Sequence, residues 1–370
     1  MLNVVMKIVL VLLGVALLLS FSRLIRGPKL QDRIVAVDLI AVLTVGVIVA
    51  AAAGTGQQFL LDAASVIVAG GINMDTLAVS AAPTIAATSN PGRTTHSPGG
   101  VARNIAENLA RLEVPTTLLS AVGQDDLGDF VLAHTSRAGV DVSHVVRLPD
   151  VQTGSYVAIL DEAGKLCVSV SEYDIIDSVS PEYVRRHRSL FAAASLIVID
   201  ANLSAKALAT VFSLARRYRV PVCADPTSQL LAEKLIPYLP EIYMLTPNAA
   251  EAAALCQTEA VPETSESAIE TAQCLVSLGV KIGVVTLAEQ GLAYADGSSA
   301  GHIPALRTQV VDATGVGDAL TAAVIFGLLN EMPLDEAMRL GISAAALTLR
   351  TRATVYEGLS LDRLYDELVV

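Results

Sequence analysis

Val311-Asp312-Ala313-Thr314-Gly315-Val316-Gly317-Asp318-Ala319-Leu320 is the stretch that decides how this chain of 370 residues is read. An extended run at 302–311 leads into it, and apolar residues at helical spacing follow over 319–329. Glycines at a strand-to-helix turn leave backbone N–H groups free beside the positive end of a helix dipole, which suits phosphate charge. Gly315 and Gly317 put no Cβ between that backbone and an anion. Asp318 is the odd residue, because bound phosphate repels a carboxylate. It makes sense as the group that takes the proton of an alcohol attacking a phosphoryl centre. An acidic cap on an ordinary helix is the plainer alternative.

Upstream, residues 65–69 are a short β-branched run closed by Gly70-Gly71, which reads as a buried strand. Further strands are expected at 116–121, 196–200, 220–224, 242–246 and 282–286. Helices are expected near 102–112, 126–138, 205–218, 249–256 and 266–278. That alternation is the rhythm of a parallel sheet covered on both faces. Residues 76–97 and a hairpin formed by 154–160 and 165–171 stand apart as a flap of edge strands.

Ligands in such sheets bind beyond the carboxyl ends of the strands. Asn73 and Asp75 follow the first strand and either hold vicinal hydroxyls or simply form a turn. Gly99 and Gly100 let a sugar lie against the backbone, and Asn104, one helical turn on, presents an amide. Asn202 stands at another strand end, with Asp200 the second choice there, and Asp174 reaches in from the flap. Arg103 reads as the partner of a surface carboxylate. Asn248 and Glu251 lie one turn apart at a helix start, where their oxygens hold the water ligands of Mg²⁺ or cap the helix.

Composition removes other classes. With 25 Lys+Arg against 37 Asp+Glu, a net charge of −12, 4% aromatics and no Trp, the chain has neither the basic face nor the stacking platform that nucleic acid requires. Cys167, Cys223, Cys256 and Cys274 form no CxxC pair, so buried, reduced thiols are expected instead of zinc or a disulfide framework.

The 53% hydrophobic content and mean hydropathy of +0.56 are high for a soluble protein, so some segment is expected to lie outside water. Residues 4–22, interrupted by Lys7, and 34–53, interrupted by Asp38, are each long enough for a transmembrane helix. No small-residue cleavage site closes the first run, so a hairpin is expected instead of a signal peptide. Arg23, Arg26, Lys29 and Arg33 favour a cytoplasmic turn. Both hairpin ends would then lie on the side that lacks ATP. The hairpin is therefore inverted, not inserted, or the relic of a fusion; the fusion is favoured. Asp38 lies close to that turn and fits the interface as well as a functional role.

Two resemblances bear on these readings. Asp312 to Asp318 resembles the C-terminal signature of the ribokinase-like (PfkB) carbohydrate and nucleoside kinases. Pro98-Gly99-Gly100-Val101-Ala102-Arg103-Asn104-Ile105-Ala106-Glu107-Asn108-Leu109-Ala110 resembles their N-terminal signature, in a wording most like that of the pseudouridine kinases. The similarity spans roughly 65–370. It implies a ribokinase-like parallel-sheet sandwich with a small β lid (76–98 and 151–175), using ATP and Mg²⁺ to phosphorylate the 5′-hydroxyl of pseudouridine. Asp318 would be the base and Gly315, Val316 and Gly317 the anion hole. Asn73, Asp75, Gly99, Gly100, Asn104, Asn202 and Asp174 would meet the substrate, and Asn248, Glu251, Thr286, Gly291 and Thr314 the nucleotide. Asp312 and Thr314 would give oxygens to a monovalent cation, K⁺. Val316, Glu113 and Ala288 depart from the family pattern, which has alanine at the first position and glycine at the other two. A kinase of another nucleoside or pentose is the alternative in this class.

Arg26-Gly27-Pro28, residues 32–39, Thr55-Gly56-Gln57 and residues 59–62 are similar to the F subunit of Mrp-type Na⁺/H⁺ antiporters. This implies a membrane-anchored chain whose kinase domain works in the cytoplasm. The alternative of another class is an antiporter subunit carrying a non-catalytic kinase-like module. Exposed lid edges would favour a homodimer.

Overall fold

Val66-Ile67-Val68-Ala69 (β1) runs through the middle of the main sheet, and each of its residues is at most 3% exposed. Side chains of a strand alternate between faces, so Val66 and Val68 enter one core while Ile67 and Ala69 enter the other. The computed structural model describes residues 64–368, together with Ala16 and Ser20. After β1 come β2 (Asn73–Ser80), β3 (Gly92–Gly99), β4 (Thr116–Leu119), β5 (Ala121–Gly123), β6 (Val146–Leu148), β7 (Ser155–Leu160) and β8 (Leu166–Glu172). β9 (Leu196–Asp200), β10 (Val222–Asp225), β11 (Ile242–Leu245), β12 (Ile282–Thr286), β13 (Leu292–Asp296) and β14 (Ala300–Ile303) complete the strands. The helices are α1 (Val101–Arg111), α2 (Asp126–Arg137), α3 (Pro181–Arg186), α4 (Arg188–Ala193), α5 (Ala205–Tyr218), α6 (Gln229–Ala232), α7 (Ala249–Leu255), α8 (Ser265–Ser277), α9 (Val316–Leu329), α10 (Leu334–Leu349) and α11 (Leu361–Leu368).

The main sheet has the order β14-β13-β12-β11-β10-β9-β1-β4, parallel from β4 to β12 and antiparallel at its β13–β14 edge. One core lies between it and α1, α2, α9, α10 and α11; the other lies under α3 to α8. A separate sheet, β3-β2-β7-β8, hereafter the lid, is built from the segments expected to form one. This is the ribokinase-like α/β arrangement expected.

Three expectations need correction. The extended run at 302–311 is a strand only to Ile303. β14 there reaches Leu292, the first residue of its partner β13, and Pro304 brings no N–H to continue the ladder. Asn73 and Asp75 open β2 rather than forming a turn after β1. The thiols are not all reduced and buried: Cys256 and Cys274 are joined in a disulfide, with their Cα atoms 6.4 Å apart, and Cys167 is exposed on β8. Spacing gave no sign of that bond, because it depends on how α8 folds back beside the end of α7.

Among the described residues, no helix is long and apolar enough to cross a membrane. The hairpin expected at 4–22 and 34–53 lies outside them, apart from helical Ala16 and Ser20, where the Ser20 hydroxyl donates to the Ala16 carbonyl at 2.9 Å.

Phe212 on α5 is fully buried and stacks on Tyr238 with centroids 4.2 Å apart, in the core away from α1 and α9. Phe212→Ala is expected to destabilise the fold by about 3–5 kcal/mol, read by urea denaturation, with no change in m-value.

Candidate active site

Two helices start from glycine without a capping side chain: α1 from Gly100 at φ 98° and α9 from Gly315 at φ 78°. By contrast, Asp125, Ser204 and Thr264 cap α2, α5 and α8. At α1 a distant carboxylate takes over. Asp200 accepts from the N–H groups of Ala102 (3.1 Å), Gly71 (2.7 Å) and Asn202 (2.9 Å). Its three backbone bonds give Asp200 a structural task. At α9 the first ladder bond runs from the Ala319 N–H to the Gly315 carbonyl at 3.0 Å, so the N–H groups of Val316, Gly317 and Asp318 have no helical acceptor. Gly315 is forced by its backbone and by the Thr354 carbonyl, which a Cβ would strike. At Gly317 a Cβ would meet nothing within 4 Å beyond its chain neighbours and the backbone of its own helix. The space beside that N–H run is open, as a bound anion would need.

Asp318 stands on the first turn of α9, a helix buried from Asp318 to Gly327. Its Oδ2 accepts from Asn104 Nδ2 at 2.6 Å. Burial pushes its carboxyl up to about 7. The Asn104 hydrogen bond and the Arg103 guanidinium oppose the rise; Asp200 and Asp75 add to it. Asp75 accepts from Asn73 Nδ2 at 2.6 Å and is pushed up to about 6, chiefly by burial. Gly99 packs on the Asp75 carboxylate so closely that no Cβ fits. Asn73, Asp75, Gly99, Gly100, Asn104 and Asp318 thus come together, and Asn202 lies beside them against Gly71.

Asp174 does not join them. It is exposed at the start of a 3₁₀ turn (Asp174–Ser178) and is hydrogen-bonded to none of the cluster. Its neighbour Tyr173 faces inward instead; burial, with Asp75, Tyr156 and Asp200 nearby, pushes its phenol up. Tyr156 sits across the lid from Asp75 in the β2–β7 register. Sequence reasoning also passed over Asp225, in register with Asp200 and pushed well up by burial, with Asp318 and Glu251 near. It directly follows an expected strand (220–224), the same kind of position that singled out Asn202. Arg103 is no surface partner: it is fully buried.

A cleft of about 490 Å³ reaches Gly317. Asn248, Thr286, Gly291, Val316 and Gly317 line it, with Leu287, Leu306 and Ile342 among its apolar walls, the mix of apolar surface and a few polar groups common to small-molecule sites. Asn248 and Glu251 do form a capping box: the Glu251 N–H donates to Asn248 Oδ1 at 3.0 Å and the Asn248 N–H to Glu251 Oε2 at 2.9 Å. Glu251 Oε1 is left over, and burial raises that carboxyl. Among the described residues, no three His, Cys, Asp or Glu side chains converge on a metal. A lone spare oxygen beside an amide fits a magnesium ion that keeps its water.

Thr314 and Asp312 lie elsewhere, on a cleft of about 600 Å³ against the lid residues Leu77, Arg93 and Tyr156. There Asp312 Oδ1 accepts from the Thr314 N–H (2.8 Å) and hydroxyl (2.7 Å). Of the three departures from the family pattern, Glu113 (φ 63°) and Ala288 (φ 50°) hold left-handed backbone, which explains glycine as the usual residue at both.

Gly315→Ala is expected to lower stability by about 1–3 kcal/mol through left-handed strain and the Thr354 clash. Gly317→Ala should melt with the parent and lose only anion affinity, measured as nucleotide Kd by calorimetry. The raised Asp318 carboxyl has a further consequence for stability. Its folded value of about 7 exceeds the ordinary 3.8, so its contribution is favourable below pH 4 and is lost as pH rises through 7. Asp318→Asn should therefore melt above the parent at pH 8 and level with it at pH 4.

The profile of the pfkB family carbohydrate kinases matches residues 63–359, and that of multiple resistance and pH regulation protein F (MrpF/PhaF) matches residues 31–71. The pseudouridine kinase of Escherichia coli (strain K12) is 33% identical over 298 residues, 80% of this chain and 94% of that protein. Among solved structures, a carbohydrate kinase from Agrobacterium tumefaciens superposes with a TM-score of 0.72 at 28% identity, covering 83% of this chain and 97% of that one. Arabidopsis thaliana ribokinase complexed with ribose and ATP gives 0.72 at 22% identity, covering 84% and 100%, a likeness of fold. The chain belongs to the pfkB family of carbohydrate kinases, phosphotransferases that act on a hydroxyl group.

Proposed function

We propose that the chain transfers the γ-phosphoryl group of ATP to the 5′-hydroxyl of pseudouridine, giving pseudouridine 5′-phosphate. The observation that carries this reading is Asp318, a buried carboxylate poised near neutral pH beside the unfilled N–H run of α9. Its Oδ2 is held by Asn104, which leaves Oδ1 to take the hydroxyl proton. Asn73, Asp75, Gly99, Gly100 and Asn104 hold the sugar, with Asn202 beside them. The N–H groups of Val316 and Gly317, after Gly315, meet the charge that develops on the transferred group. The nucleotide lies against Thr286 and Gly291. When bound, Mg²⁺ neutralises phosphate charge; Glu251 and Asn248 would hold its water shell, and Asp312 with Thr314 is the candidate K⁺ position.

Tyr173 and Tyr156 favour a nucleoside over a bare pentose, because they offer aromatic rings beside Asp75 where a base would lie. The similarity to a pseudouridine kinase points the same way. The MrpF/PhaF-like N-terminus is read as an appendage that anchors the chain without carrying ions, with the kinase domain on the side that holds ATP. Pairing of the exposed strands of the lid would make a homodimer.

A phosphorylation assay with pseudouridine, ribose and adenosine tests the substrate. Pseudouridine should give the highest kcat/KM, and equal turnover of ribose would overturn the nucleoside reading. Asp318→Asn is expected to lose about 10²–10⁴-fold in kcat. Since the base must be ionised, kcat/KM should fall about tenfold per unit as pH drops below about 7.

A further inference from the structure

Arg103 is fully buried and among the largest side chains so enclosed. Its Nη2 donates to Asn104 Oδ1, to the Pro98 carbonyl at 2.8 Å and to Thr354 Oγ1 at 2.8 Å, and its Nη1 donates to Glu107 Oε2. Glu107, equally buried, is shared with Arg111, whose Nη2 donates at 2.6 Å, and with His134 at 3.5 Å. Such enclosure is costly for a cation whose only task is to pair with a neighbour on its own helix.

A guanidinium has donors and no acceptor. The Asn104 atom that faces Arg103 must therefore be Oδ1, since the flipped amide would set donor against donor. With Oδ1 so fixed, Nδ2 is turned to Asp318. We infer that Arg103 is the positioning residue of the active site: it sets the face of the Asn104 amide and so holds the Asp318 carboxylate in place to receive a proton. This inference rests on the proposed phosphoryl transfer. Arg103 also fixes both glycine turns. Pro98 leads into Gly99-Gly100, and the carbonyl of Thr354 is the atom packed against Gly315. The charged groups around Asp318 are Arg103 from α1, Asp200 from β9, Asp75 from β2 and Asp225 from β10. Arg103 is the cation among them.

Three full-length variants separate positioning from packing. Arg103→Met/Glu107→Gln removes both members of the fully buried pair and keeps the volume, so no fully buried charge is orphaned. The partly exposed Arg111 and His134 keep an amide oxygen as acceptor. Arg103→Lys keeps the charge and loses the fork. Asp318→Asn assigns the Asp318 carboxyl signal. Titration of that carboxyl by ¹³C NMR in the substrate-free protein should place its midpoint about one pH unit or more higher in the double variant and unchanged in Arg103→Lys. In the kinase assay, kcat should fall about 10²-fold in the double variant and about tenfold in Arg103→Lys, with sugar KM changing less than threefold. An unmoved midpoint in the double variant would overturn the inference, as would parental kcat in Arg103→Lys. A parent that phosphorylates no nucleoside or sugar, while the midpoint still moves as stated, would sink the proposed function and leave the role of Arg103 standing.

Discussion

Everything at the site hangs on one hydrogen bond, from the Asn104 amide to the Asp318 carboxylate. The two residues are 214 positions apart, and each stands on the opening turn of a helix that starts from glycine. A carboxylate in a poorly polarisable surrounding keeps its charge only if fixed dipoles and a cation replace water. Asn104 and Arg103 do so, and they hold still because α1 and α9 belong to the same packed core. The Asp318 carboxylate is thus set by packing on one face of the sheet. The lid contributes separately, through Asn73, Asp75 and Gly99 at the base of β2 and β3.

What could be read from the sequence was local. Buried parallel strands are continuous apolar runs, so β1, β9 and β12 stood out. Gly315 to Asp318 were legible because four consecutive residues carry their own geometry. Arg103 was not, since what encloses it includes Thr354, 251 residues away. Tyr173 and Asp174 differ by one position. The lid alternation ends at Glu172 and a 3₁₀ turn follows, so no count along the chain tells which of the two turns inward. The end of β14 was misjudged for a related reason: residues 304–311 have the composition of a strand but no neighbour to pair with.

Asn248 and Glu251 show that a structural and a chemical reading need not compete. The capping box occupies one oxygen of each side chain and fixes both rotamers, which leaves the second Glu251 oxygen aimed by the cap itself. A helix start so braced presents its spare oxygen with little conformational entropy left to lose.

The place of β1 in the sheet also orders events on the ribosome. Val66 pairs on one side with Thr116 and on the other with Leu196, 130 residues downstream. At translation rates of about 5–20 residues per second, that gap lasts about 7–26 s. Every strand of the lid, through Glu172, emerges before β9 does. The nascent chain therefore holds every strand of the second sheet while β1 still waits for its second neighbour.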